Sequence, residues 1–282
     1  MIERITGRSG ATYKSWQAIS KLHAGKQTGL VFLEGLRLCA DAIESHATVE
    51  SCLLADGAAA DARRLFDRLP ESIHRYTLPD PLFASLCETE HPQGLALICR
   101  SPVLDQPEEP PHTDGLYLIA EAIQDPGNLG TMIRTADAFA FDGVIVTSGT
   151  VSPINGKTLR AAMGSCFHIP LLSFPDLAAV SQWLGLANVP IIAADARGQE
   201  TSRAAWPAAA ALVIGNEARG ISEEARVMCR QLVRIPMPGQ AESLNASAAA
   251  AILAYELMLA RSANRHDMHA GASDHPVVHE QI

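Results

Sequence analysis

The chain has 282 residues, of which 48% are hydrophobic and 19% charged, enough apolar material for a substantial core and too little charge for a disordered polymer. At roughly 150 residues per domain this length suggests two domains. Twenty-two Lys and Arg against 31 Asp and Glu leave a net charge of −9, which argues against a protein that grips nucleic acid with its whole surface and leaves room for a local basic patch.

The chain opens Met1-Ile2-Glu3-Arg4, with charge where a signal peptide carries its apolar core. No apolar run reaches the roughly 18–20 residues that span a bilayer, so a cytoplasmic protein without a membrane partner is expected. Residues 1–40 concentrate positive charge, with Arg4, Arg8, Lys14, Lys21, Lys26 and Arg37 against Glu3 and Glu34. This segment reads either as a patch facing RNA or as ordinary solvated helix faces. Apolar runs at Leu30–Leu33, Val49–Leu54 and Leu95–Cys99 alternate with helical patterns at Leu36–Ile43 and Ala58–Leu69, the signature of a small α/β domain. Ser101–Gly115 then combines Pro102, Pro107, Pro110 and Pro111 with acidic residues, and proline disfavours regular pairing, so an extended linker is expected.

Beyond it the alternation strengthens. Leu116–Ala122, Gly143–Ser148, Pro190–Ala194, Ala211–Gly215 and Leu232–Pro236 read as strands, with helices at Asn128–Ala140, Lys157–Met163 and Asp176–Leu184 and a long last helix from about Asn245 to Arg261. Continuous rather than alternating apolar strands indicate a parallel sheet covered on both faces. Residues 263–282 carry His266, His269, His275 and His279 without apolar periodicity, as expected of a disordered tail. The organisation expected is thus an N-terminal domain over 1–100, a linker over 101–115, a second domain over 116–262 and the tail. The six cysteines form no Cys-x-x-Cys pair, which fits buried reduced thiols and no metal site.

Ligands of an open parallel sheet sit where loops leave the carboxyl ends of the strands, and three such loops stand out. Gln124–Arg134 (QDPGNLGTMIR) holds Gly127 and Gly130, which permit close backbone approach, Asn128 at an expected N-cap, and Arg134 about two turns into the helix. Alone it reads as a capped βα turn, and it lacks the G-x-G-x-x-G dinucleotide pattern. Gly215–Gly220 (GNEARG) places Glu217 directly after a buried strand, where it serves either a ligand hydroxyl or neighbouring backbone amides. Ile235–Ser247 (IPMPGQAESLNAS) leads into the last helix, with Ser243 and Asn245 as good N-caps. No nucleophile elbow, Walker loop or His-Glu-x-x-His pattern occurs, which removes the common hydrolase, phosphate-loop and zinc-protease readings.

Taken together and in order, NLGTMIRTADAFAFDGV, ALVIGNEARGIS and VRIPMPGQAESLNASAAAAILAYE closely resemble the three motifs of the SpoU (TrmH-type) family of the SPOUT superfamily of RNA methyltransferases, over roughly Leu116–Arg261. LVFLEGLRLCADAI and HPQGLALI are similar to the small, ribosomal-protein-like substrate-binding domain of many members. The resemblance implies a SPOUT α/β domain whose chain is tied in a deep trefoil knot, against the usual rule that chains do not thread loops. It implies a homodimer using the last helix, and S-adenosylmethionine as cofactor in a pocket lined by Gly215, Ile235 and Leu244.

The reaction implied is methyl transfer to a ribose 2′-OH of RNA, with ribosomal RNA favoured over tRNA. Arg134 would stand beside that hydroxyl. A guanidinium is protonated at neutral pH, so its role there is to bind the adjacent phosphate and stabilise developing alkoxide charge, with base behaviour left open only for a greatly changed environment. Asn128 would hold RNA or Arg134, Glu217 and Asn245 would orient it through hydrogen bonds, and Ser243 would make a secondary contact. Lys14, Lys21, Lys26, Lys157 and Arg160 would supply the local positive field for RNA. The alternative is a non-catalytic RNA-binding or ribosome-assembly factor that keeps the fold and binds the cofactor without turnover.

Overall fold

The computed structural model describes residues 2–20, 29–107 and 109–271; Lys21, Lys26, His275 and His279 lie outside the described residues. The first sheet contains β1 (Ile2–Arg4), β2 (Leu30–Glu34), β3 (Val49–Ala55), β4 (His74–Leu78) and β5 (Leu95–Arg100), in the order β1-β4-β3-β5-β2. Strands β1, β4 and β3 are parallel, and β5 runs antiparallel to β3 and β2. Helices α1 (Ala11–Ser20), α2 (Leu36–Glu44), α3 (Ala60–Arg68) and α4 (Asp80–Ala84) accompany this sheet. Strand β4 carries no apolar run, only Leu78 of its five residues being buried. Pairing with β1 on one side and β3 on the other makes it a strand.

The second sheet has β6 (Val103–Asp105), β7 (Leu116–Ala120), β8 (Gly143–Thr147), β9 (Leu171–Phe174), β10 (Ile191–Glu200), β11 (Ala210–Ile214) and β12 (Gln231–Arg234) in the order β12-β10-β11-β7-β8-β9-β6. Every pairing in it is parallel. Helices α5 (Pro126–Ala138), α6 (Gly156–Ala162), α7 (Leu177–Gly185), α8 (Glu223–Met228) and α9 (Ala246–Gly271) surround it. Strands β7, β8 and β11 are buried at every residue, as the continuous apolar runs require of a sheet covered on both faces.

Two expectations are corrected. Within 101–115, read as an unpaired linker, Val103–Asp105 pairs with Leu171–Ser173 as the edge strand of the second sheet. Pro102 and Pro107 flank the paired residues, so neither costs the ladder a donor. The last helix does not fray at residue 263, since its backbone continues to Gly271 and takes in His266 and His269. It is anchored earlier, where Arg261, only 8% exposed, donates to the Asp142 carboxylate at 2.9 Å and to the Ala140 carbonyl.

One apolar core joins the sheets, running from Tyr13 and Leu38 through Leu159 and Ala162 to Leu257. Cys39, Cys52, Cys99 and Cys166 are buried free thiols; burial pushes those of Cys99 and Cys166 up to about 12, which leaves them inert at neutral pH. No helix of the described residues is long and apolar enough to cross a membrane.

Candidate active site

The loop after β7 turns at Ala122, whose φ of 55° lies in the left-handed region. Asp125 then caps α5 by accepting from Asn128 N–H at 2.8 Å, and Pro126 occupies the first turn. Proline has its φ already set for that position, so the helix begins before Asn128 and the cap is Asp125 rather than Asn128. That shift frees the Asn128 amide for other partners. Its Nδ2 donates to Glu217 Oε1 at 2.9 Å, and its Oδ1 accepts from Asn245 Nδ2 at 2.9 Å. Asn245 Oδ1 in turn accepts from Ser247 N–H at 2.9 Å and Ala248 N–H at 3.2 Å, capping α9.

The chemistry of the two ends orients both amides. A carboxylate can only accept and a helix N–H can only donate, so each asparagine must present its oxygen toward α9 and its nitrogen toward Glu217. Glu217 also accepts from the backbone N–H groups of Gln124 and Asp125, each at 3.2 Å. Partial burial pushes its carboxyl up, but the hydrogen bonds from Asn128 and the backbone outweigh that and hold it below its ordinary value. Residues from the loops after β7, β11 and β12 are thereby clamped at the starts of two helices.

Beside this clamp, the carboxyl ends of β10, β11 and β12 enclose a cleft of about 520 Å³ lined by Gly215, Ile235, Leu244, Ser243 and Glu217, with Leu253 of α9. Gly215 has a reason internal to the chain, because a Cβ there would stand 2.3 Å from the backbone of Gly220 and Ile221. The sequence reading missed a second polar group in the cleft wall. Asp195, with its side chain 6% exposed, accepts from Arg226 Nε at 2.7 Å and from Arg197 N–H at 2.8 Å. Burial raises its carboxyl, and those donors with the two guanidinium charges more than offset this and leave it low. The signal was available, since Asp195 follows the apolar run Pro190–Ala194. Strand β10, however, continues irregularly to Glu200 instead of ending at Ala194.

Arg134 is not brought to the clamp. It lies six positions beyond Asn128 on α5, about 9 Å along the axis and on a different face, and its exposed guanidinium donates to Met163 Sδ at 2.9 Å. It does not line the cleft. Lys157 and Arg160 are exposed on α6, where Arg160 reaches Glu88 at 3.5 Å, and Lys14 is exposed on α1. Among the described residues no group of three or more His, Cys, Asp or Glu is placed to hold a metal ion.

Comparison with known proteins agrees in both halves. The model of the SpoU rRNA Methylase family matches residues 115–255, and that of the MRM3-like substrate binding domain matches residues 11–97. The chain is 36% identical to the 23S rRNA (guanosine(2553)-2′-O)-methyltransferase RlmP of Bacillus subtilis, over 91% of this chain and 99% of the relative. It is 30% identical to the 23S rRNA (uridine(2479)-2′-O)-methyltransferase of Streptomyces viridochromogenes, over 93% and 94%. The crystal structure of the SpoU methyltransferase AviRb from Streptomyces viridochromogenes with AdoMet superposes with a TM-score of 0.81 at 27% identity, covering 90% of this chain and 98% of that one.

Proposed function

The chain belongs to the SpoU rRNA methylase family, and from that premise we propose that it transfers a methyl group from S-adenosylmethionine to a ribose 2′-OH of ribosomal RNA, in preference to tRNA. The observation that carries this reading is the meeting of Asn128, Glu217 and Asn245 at the rim of the cleft that holds Gly215, Ile235 and Leu244. The cleft suits the cofactor chemically, with apolar walls at Ile214, Ile235 and Leu253 for a flat aromatic group and the exposed Glu242 carboxylate for a cation. When bound, S-adenosylmethionine supplies a methyl group on a positively charged sulfur that leaves as a neutral thioether.

The chain's own residues divide the remaining work. Glu217 has its oxygens occupied by N–H donors and stays ionised, so it serves with Asn128 and Asn245 as a positioning residue that fixes the cleft's rim. Ser243 lies on that rim as a secondary contact. Arg134, a guanidinium without a carboxylate partner among the described residues, is the group to bind the neighbouring phosphate and to steady the alkoxide as the hydroxyl gives up its proton to solvent water.

The homodimer belongs to this reading. Ile252, Tyr255 and Leu259 form a stripe on α9 that is 40%, 46% and 45% exposed, and a second copy is what supplies Arg134 to the cleft it does not line. Residues 1–100 act as the RNA-binding domain and 116–262 as the methyltransferase domain, supported by the two family matches, and the chain works in the cytoplasm, where ribosomal RNA is found. Return of the chain from edge strand β12 to a last helix packed on β11 and α5 supports the trefoil knot.

The test is transfer of labelled methyl to ribosomal RNA, and separately to tRNA, each from cells lacking the gene, with nuclease digestion to place the label. The expected result is label on a 2′-O position of ribosomal RNA. In Arg134→Ala the rate should fall about 10²-fold or more with cofactor affinity kept. Cofactor binding with no label in either pool decides for the non-catalytic alternative.

A further inference from the structure

The two sheets leave a second cleft, about 420 Å³, where the β2–α2 turn and the 88–93 loop of the first meet α6 of the second. Its volume falls in the range of sites that take a small molecule or a single nucleotide. The first-sheet wall is firmly built. Glu34, 9% exposed, accepts from Glu88 N–H at 2.7 Å, from Thr89 N–H at 3.1 Å and from the Thr89 hydroxyl. Gln93 Oε1 accepts from Leu36 N–H at 2.7 Å, which orients the amide and leaves its Nε2 free to donate.

Two arginines, Arg37 and Arg160, and two carboxylates, Glu34 and Asp41, line the cleft, and they differ in what occupies them. Arg37 and His91 have no hydrogen-bond or ion-pair partner among the described residues, and Arg160 shares only the 3.5 Å contact with Glu88. Of the lining carboxylates, Glu34 is spent on the loop, and Asp41 lies against Gly164, where an added Cβ would stand 2.8 Å from the Asp41 Cβ. The opposite wall is Met163, held at a left-handed φ of 49°. Its sulfur accepts from Arg134. One side chain therefore separates this cleft from the arginine assigned above to the reacting ribose.

We propose that the cleft between the two sheets receives a nucleotide of the RNA that flanks the methylated one, with its phosphate on Arg37 and Arg160 and its base edge read by Gln93. This rests on the ribose-methylation reading and deepens it. The cleft, and not the general basic character of residues 1–40, then selects the RNA context. Arginine pairs suit a phosphate, and a carboxamide held by its oxygen suits a base acceptor.

The experiment uses the full chain and unmodified 23S ribosomal RNA made by transcription. Three variants are compared with wild type: Arg37→Ala with Arg160→Ala, Gln93→Ala, and Arg64→Ala on exposed α3 as control. The double variant is expected to bind RNA about tenfold more weakly, with a salt dependence flattened by about 0.7 in log–log slope for one lost phosphate contact. Gln93→Ala should keep that slope and lose selectivity, with methylation spreading to other nucleotides. Cofactor affinity should match wild type in all three, and melting temperature in the arginine variants, with Gln93→Ala slightly lowered by the loss of the Leu36 N–H bond. Wild-type methylation with an unchanged slope in the double variant overturns the cleft's role and leaves the function standing. A loss of cofactor affinity in parallel with RNA affinity overturns it too, by showing a structural role. Absence of methylation by the wild-type chain overturns the reading beneath it.

Discussion

Glu217 shows how a single carboxylate can hold a distant loop and a helix start together. It accepts from Gln124 N–H, Asp125 N–H and the Asn128 amide, so Glu217→Ala strands three donors. The carboxylate is exposed, and water recovers part of the loss, so the destabilisation should be about 1 kcal/mol; methyl transfer should fall far more, because the rim of the cleft loses its order. Glu217→Gln keeps the shape and places an NH₂ group against donors, and should be nearly as inactive. The pH dependence has a definite sign. Because the folded-state carboxyl is held below its ordinary 4.5, its stabilisation is fully present above that pH and is lost only as pH falls further. Melting curves of wild type and Glu217→Gln from pH 7 to pH 3 check this: their difference should be constant down to about 5 and close below it. Asp195, by contrast, escaped the sequence reading although it follows the apolar run Pro190–Ala194, because its donors sit on β10's own irregular extension and on α8.

At the scale of elements, the crossing of α5 and α6 sets the distance between the clamp and the basic residues. Gly130 allows it, since a Cβ there would lie 2.5 Å from Ala161 Cβ and 2.6 Å from the Thr158 carbonyl. The close approach read from the sequence is real, and it is to a helix. Gly130→Ala forces the helices apart and should cost about 1–3 kcal/mol. It also moves Asn128 and Arg134 on α5 relative to Arg160 on α6 and Met163 just after it, so RNA methylation should drop more steeply than cofactor affinity. Calorimetry of cofactor binding beside the transfer assay distinguishes this from general unfolding, which would lower both together.

For the whole molecule, a net charge of −9 and an RNA substrate are reconciled by grouping. Arg37, Arg134 and Arg160 stand on or near the junction of the two sheets, with only Arg160 sharing a carboxylate, Glu88 at 3.5 Å, while many other arginines are neutralised in pairs such as Arg4–Asp56, Arg226–Asp195 and Arg234–Glu200. Among the exposed apolar side chains, Ile252, Tyr255 and Leu259 fall in one stripe of α9, the kind of surface an oligomer covers. Light scattering behind a sizing column should give a dimer mass for wild type. Ile252→Glu with Leu259→Glu should give a monomer that still binds cofactor and has lost methyl transfer; a fully active monomer would refute the shared site.

The sequence alone determined what depends on near neighbours. Buried apolar runs specify a parallel sheet, prolines and Asx residues specify where helices begin, and three loops of unusual composition specify where ligands meet the sheet. Even there, local signals misplaced a cap by three residues, because Asp125 and Asn128 are both good caps and Pro126 decides between them. The tertiary structure alone decided which of those residues meet. Glu217 reaches Gln124 across 93 positions and Asn245 reaches Asn128 across 117, distances over which strand order, not local preference, sets the neighbour. The same holds for the cleft between the sheets, whose walls come from residues 34–41, 89–93 and 159–163. A hydrogen bond or a cavity wall requires two segments in one place, and only packing puts them there.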